Sequence, residues 1–154
     1  MTIISALLLA AQALALPQDQ DIIAVEVITG SDSSGWTIAT DGHSSFFDYN
    51  RETGAADPAM QQRFVGEAAD FAFARSQLAR YRPLAQDGDG CPIARTDVFG
   101  FRLTWVEHGA RHTATFTDSC GGIPSDLNAA LRPIGQRVDR YLAMPPTDVG
   151  GAED

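Results

Sequence analysis

Few residues in this chain have the chemistry to act on a substrate or hold a metal. They are two cysteines, three histidines and several aspartates set among glycines. Cys91 lies in DGDGCPIAR and Cys120 in DSCGGIPSD, 29 positions further on. A dithiol redox couple would use the much shorter C-x-x-C spacing. A zinc centre needs about four nitrogen or sulfur ligands, and His43, His108 and His112 do not stand at ligand spacing from either cysteine. Gly42-His43-Ser44-Ser45-Phe46 comes near the G-x-S-x-G elbow of serine hydrolases, but Phe46 holds the fifth place and no strand-to-helix turn is predicted there. Asp87-Gly88-Asp89-Gly90 suggests a calcium loop. An EF-hand needs an oxygen ligand next and then glycine, where this chain has Cys91 and Pro92. A plain Asp/Gly turn is the reading, with an irregular calcium site left open. Carboxylates are plentiful without any sign of convergence on a cleft, and neither G-x-G-x-x-G nor a P-loop occurs. No catalytic residue, metal ligand or cofactor is therefore expected.

The chain opens MTIISALLLAAQALALPQDQ, and residues 3–16 are almost wholly apolar and uncharged. At roughly 1.5 Å per residue that run falls short of a bilayer core of about 30 Å, and its place suits the apolar region of a secretory leader. Ala13-Leu14-Ala15 supplies the small-x-small pattern of a cleavage site after Ala15. The leader lacks the usual basic residue, since only Met1 and Thr2 precede the run. The alternative is a buried N-terminal helix of a cytosolic domain. Later segments do not approach the length of a membrane span, so no membrane insertion is expected once residues 1–15 are removed. Export bears on the cysteines, because disulfides persist outside the cytosol. It favours a structural Cys91–Cys120 bridge over two free thiols.

The 20 acidic and 11 basic residues leave a net charge of −9, all of it after residue 18. Such a domain disfavours phosphate backbones, which need a basic face, and anionic membrane surfaces. Nucleic acid is not an expected partner. The charge reads either as solubility or as an acidic face for a basic partner or cation. An apolar content of 44% permits a real core. Residues 16–143 are expected to form one exported domain, and residues 144–154, ending PPTDVGGAED, a disordered tail.

The elements that would position these residues follow from periodicity and turn chemistry. Residues 22–29, 36–40 and 43–49 read as strands, separated by GSDSSG and by Asp41-Gly42. A helix is predicted from an Asp57 cap with Pro58 at its first position, along a stripe of Met60, Phe64, Ala68, Phe71 and Leu78. Arg82-Pro83 ends it and opens a loop over 82–96. Residues 98–106 and 111–117 read as a hairpin turning near His108-Gly109-Ala110. With an even loop, Phe99, Phe101, Leu103 and Trp105 share a face with His112, Ala114 and Phe116. His108 and His112 then point to opposite faces and would not share one ion. A last helix, capped by Ser125, carries Leu127, Leu131, Ile134, Val138 and Leu142. Pro133 and Gly135 inside it predict a kink or split. The expectation is an α+β fold: an antiparallel sheet of about five strands with two helices packed on one face, in the order β-β-β-α-β-β-α.

TDVFGFRLTWVEHGARHTATF, followed by a capped C-terminal helix and preceded by a helix and a loop, resembles in layout the emfourin family of small exported inhibitors of thermolysin-like metalloproteases. The resemblance covers roughly residues 57–142. It lies in the order of elements and not in a diagnostic motif, assigns no functional residue, and does not extend to the cysteine pair. It implies a protease as the partner.

Elimination and this resemblance converge on one expectation: a non-catalytic periplasmic or secreted domain that binds a protein, with protease inhibition the most concrete form. The candidate surface is the polar face of the late hairpin, Arg102, Thr104, Thr113, Thr115 and Thr117. Threonine has few rotamers to lose when a partner covers it. The alternative is a small envelope hydrolase or metal-binding protein whose site, drawn from His43, His112 and acidic loops, is not evident in sequence. An open polar sheet would favour binding, and a pocket lined by perturbed carboxylates would favour catalysis. Nothing in the sequence specifies an oligomeric state.

Overall fold

The computed structural model describes residues 20–56 and 60–143. The expected leader, the Asp57-Pro58 helix start and the expected tail lie outside the described residues. One sheet holds seven antiparallel strands in the order β4-β3-β2-β1-β6-β7-β5. They are β1 (Ile22–Thr29), β2 (Asp32–Ala39), β3 (His43–Asn50), β4 (Gln62–Val65), β5 (Gln86–Asp87), β6 (Phe99–Glu107) and β7 (Ala110–Phe116). Helices α1 (Ala68–Leu78) and α2 (Leu127–Leu142) pack together against one face, which makes the fold α+β. Ile23, Val25, Trp36, Ile38, Leu103 and Trp105 point from the sheet into that core, and Phe71, Ala74, Leu78, Ile134 and Val138 meet them from the helices. Among the described residues no helix is long and apolar enough to cross a membrane.

The expected five strands are all present, and two short ones extend the sheet at its edges. Gln62–Val65 is a strand and not helix, so the predicted helix start is corrected. Spacing of four between Met60, Phe64 and Ala68 cannot tell a helix from an extended segment whose alternate residues happen to be apolar. Pairing with β3 satisfies backbone groups that an unpaired edge would expose. Phe64 stacks on the Tyr141 ring of α2 at 5.3 Å between centroids. Met60 is exposed. The helix begins at Ala68, where the Glu67 N–H donates to Asp70 Oδ2 at 3.0 Å.

The first turn is also tighter than its composition suggests. Only Gly30 and Ser31 lie between β1 and β2, and residues 32–35 of the predicted turn are paired strand. Their small side chains serve β3. A Cβ on Gly35 would stand 1.9 Å from the Val25 carbonyl oxygen and 2.9 Å from Phe47 Cζ, so only glycine lets the Phe47 ring lie across β2.

The late hairpin has the even register, with Phe101 opposite Phe116, Leu103 opposite Ala114 and Trp105 opposite His112. His108 and Gly109 form its two-residue turn with φ of 51° and 79°, the left-handed pair whose twist matches that of the strands. The predicted loop over 82–96 holds a 3₁₀ turn (Arg82–Leu84) and β5, which pairs with β7. The N-cap position of helix α2 is Asp126 and not Ser125, and its carboxylate makes no capping hydrogen bond but takes the Tyr81 hydroxyl at 2.7 Å and Arg80 at 2.6 Å. It runs unsplit through Pro133.

Cys91 and Cys120 form a disulfide, with Cα atoms 6.0 Å apart. The bond ties the loop before the late hairpin to the 3₁₀ turn after it, Asp118–Cys120.

Candidate functional site

The sheet face opposite the helices carries most of the polar residues of interest. Alternation along paired strands places Glu26, Tyr49, Arg102, Thr104, Thr113 and Thr115 on it. The expectation that the hairpin threonines lie together is met for Thr104, Thr113 and Thr115. The expectation that they form an open surface is corrected. Thr104, Thr113, Thr115 and Thr117 are all buried, and residues 88–90 fold back directly onto Thr113. Gly90 lies so close that a Cβ there would stand 2.8 Å from the Thr113 carbonyl oxygen, and its φ of 71° favours glycine as well. Thr113 donates to the Gly88 carbonyl at 2.7 Å and lies 3.4 Å from the Thr104 hydroxyl. Thr115 Oγ1 is buried without a partner. Thr117 lies beyond β7, where its carbonyl accepts from the Cys120 and Gly122 N–H groups.

The floor of this covered face is an acid buried in the middle of β1. Glu26 is 2% exposed. It accepts the Tyr49 hydroxyl at 2.6 Å on one oxygen and Arg102 Nη1 at 2.9 Å on the other. Burial and the adjacent carboxylate push the Tyr49 hydroxyl far above its ordinary value, so it remains a donor. Glu26 is directly opposite Arg102 in the β1–β6 register. The tyrosine reaches across β2 because that strand offers only the small Ser33, Gly35, Thr37 and Ala39 on this face.

Between this floor and the covering segment lies a cavity of about 420 Å³. Tyr49, Arg102 and Thr113 line it from the sheet, Arg51 from the turn after β3, and residues 89–96 from above. Residues 91–96 belong to no helix or strand, and among the described residues no backbone–backbone hydrogen bond fixes them. They are held instead at their two ends. The disulfide holds Cys91, and Arg51 Nη2 donates to the Arg95 carbonyl at 3.0 Å and also to the Gly30 carbonyl. Pro92, Ala94, Arg95 and Thr96 are exposed to solvent as well as bordering the cavity. The Arg95 side chain forms ion pairs with Asp97 at 2.9 Å and Asp118 at 3.9 Å.

The histidines are far from one another in role. His43 Nδ1 lies 2.8 Å from Asp41 at the β2–β3 turn, His108 is the hairpin turn, and His112 Nδ1 lies 2.9 Å from Asp87 on β5. The two aspartates of the DGDG stretch are thus engaged, Asp87 by His112 and Asp89 by Arg111 at 2.7 Å. Among the described residues no three His, Cys, Asp or Glu side chains are grouped closely enough to hold a metal.

Glu26, Tyr49 and Arg51 were not singled out by motif. The available signal was a lone acid in IIAVEVIT and a lone base in VFGFRLTWV, each at a strand centre where a charge needs a partner. A second buried acid, Asp70, is structural. Its carboxylate accepts from Tyr141 at 2.6 Å, Arg137 at 2.8 Å and the Glu67 N–H, which joins the start of α1 to the end of α2. Burial alone would raise its pKa. The hydrogen bonds from Tyr141, Arg137 and Glu67 outweigh that and hold it below the ordinary aspartate value.

Comparison of the chain with protein-family models, with curated proteins and with solved structures finds no match.

Proposed function

We propose that this chain is a non-catalytic domain, exported to the periplasm or the medium, that binds a protein partner. The surface it offers is the outer side of residues 91–96, and not the buried threonine face. One observation carries the reading: this segment is exposed, free of secondary structure, and held at both ends by a disulfide and an arginine. A segment prepared in this way has already lost most of the conformational entropy that a flexible loop would lose on binding. It can lie as an added strand in a cleft that recognises extended peptide. A protease cleft is the most concrete partner of that kind, which agrees with the layout resemblance to metalloprotease inhibitors. The disulfide supports the exported location.

The test is inhibition. The oxidised domain is mixed with a thermolysin-like metalloprotease and, separately, with serine proteases of different specificity, and peptide hydrolysis is followed. We expect slow-dissociating inhibition of at least one. It should weaken by about tenfold or more when Ala94→Glu and Thr96→Lys place charges on the exposed side, with the thermal midpoint unchanged. Absence of inhibition across both classes, or inhibition indifferent to these substitutions, overturns the proposal.

A further inference from the structure

We infer that the cavity beneath residues 91–96 is a binding site for a small zwitterion, an amino acid with an apolar side chain. The inference does not rest on the protein-binding reading, since it concerns the inner side of the covering segment. A volume of about 420 Å³ lies within the range of small-molecule sites.

The class of ligand follows from the charges that the fold leaves without a counter-charge. Arg51, Arg95 and Arg102 line the cavity together with Glu52 and Asp89. Most of these are already matched. Arg102 pairs with Glu26 beneath it at 2.9 Å. Arg95 pairs with the exposed Asp97 at 2.9 Å and with Asp118 at 3.9 Å. Asp89 pairs with Arg111 at 2.7 Å. One charge of each sign remains, on two consecutive residues of the turn after β3. Arg51 gives Nη2 to the carbonyls of Gly30 and Arg95, and its Nε is sealed from solvent, so Nη1 is the part of its guanidinium left open. Glu52 is exposed, and among the described residues neither it nor Arg51 forms an ion pair. A lone anion drawn to Arg51 would be repelled by Glu52, and a lone cation would meet the reverse. A molecule that carries both charges is attracted at both ends. Its carboxylate would accept from Arg51 Nη1 and its ammonium would donate to Glu52, each a charge-assisted hydrogen bond. Its apolar side chain has its own surfaces, in Pro92, Ile93 and the ring of Tyr49.

The experiment uses the oxidised domain in solution, observed by ¹H–¹⁵N correlation spectra through the backbone amides of Gly90, Ile93 and Thr113, which line the cavity. L-leucine and L-phenylalanine are the probes. The N-acetyl derivative of each keeps only the carboxylate charge, and the amide derivative keeps only the ammonium. We expect saturable shifts of those signals, with a Kd of about 1 mM or tighter for at least one amino acid and at least about tenfold weaker binding of both its derivatives. Glu52→Gln should weaken the amino acid by about tenfold and remove its advantage over the N-acetyl derivative. Arg51→Gln should weaken it similarly and remove its advantage over the amide. Glu52 is exposed, so its variant keeps the test decisive if Arg51→Gln loses the dispersed spectrum of the folded domain. Three results would overturn the inference: no saturable shift at tens of millimolar, either derivative binding as tightly as the parent amino acid, or Glu52→Gln binding that amino acid unchanged.

Discussion

Thr113 and Thr115 stand on the same strand face and are both buried, yet their hydroxyls differ in kind. Thr113 Oγ1 donates to the Gly88 carbonyl, whereas Thr115 Oγ1 has no partner. Replacing a bonded buried hydroxyl by a methyl removes about 1 kcal/mol, and replacing an unbonded one removes only a desolvation penalty. Thr113→Val should therefore destabilise by about 1 kcal/mol, and Thr115→Val should be neutral or stabilising. Urea unfolding of the two variants checks this, and equal losses would contradict the bonding assigned to them. The Glu26–Arg102 pair has a sharper asymmetry. With side-chain exposures of 2% for Glu26 and 18% for Arg102, the carboxylate is the partner cut off from water. Arg102→Met leaves a buried carboxylate without a counter-charge, held only by the Tyr49 hydroxyl, and should cost about 3–5 kcal/mol. Adding Glu26→Gln removes the stranded charge and should recover most of that loss, read from the same unfolding curves. A single variant as stable as the wild type would mean that Glu26 finds another partner.

Between elements, the join most open to measurement is Asp70. Its hydrogen bonds to Tyr141 and Arg137 bind the first turn of α1 to the last turns of α2, and Phe64 of β4 packs on the same tyrosine. The sign of its pH dependence follows from the lowered pKa. The stabilisation is fully present above the ordinary aspartate value of 3.8 and is lost as the pH falls below it toward the lower folded value. Asp70→Asn should lower the thermal midpoint at neutral pH and flatten part of the decline below about pH 4. Glu107, held low chiefly by the hydrogen bond from Arg82, contributes to the same acid limb and keeps the variant from being flat. Midpoints measured from pH 2 to pH 7 decide it. A variant whose acid limb is as steep as that of the wild type would remove Asp70 from the account.

For the molecule as a whole, one covalent bond holds the covering segment to the sheet. Closing a loop of about 30 residues contributes on the order of 3.5 kcal/mol in the chain-entropy model. A Cys91→Ala/Cys120→Ala variant should lose up to about that much and shift its thermal midpoint down by several degrees. It should also expose the buried threonines, seen as faster amide exchange at Thr113 and Thr115. Loss of stability without faster exchange there would separate the bond from the covering of the sheet. The proposed export is checked by N-terminal sequencing of protein recovered from a native-like host. We expect the mature chain to begin Leu16-Pro17-Gln18. Intact Met1 on soluble cytosolic protein would refute it.

The sequence by itself determined what depends on near neighbours and on period. Alternation along residues 98–117 placed Arg102, Thr104, Thr113 and Thr115 on one face, and a two-residue turn at His108 and Gly109 makes that register the even one. The α+β class followed from the same patterns, and the lone cysteine pair pointed to its bridge. The helix start was legible only in part, since a spacing of four describes Phe64 equally well as a helical residue and as a strand residue on an apolar face. Tertiary structure alone decided what lies above a face. A period of two says that the threonines share a side, but the covering of Thr113 depends on the path of residues 88–90, which have no period and lead into a segment placed by a disulfide and by Arg51 from a distant turn. Likewise Glu26 and Arg102, 76 positions apart, become partners only through the β1–β6 register, which is set by burial of the whole sheet and not by any signal local to either residue.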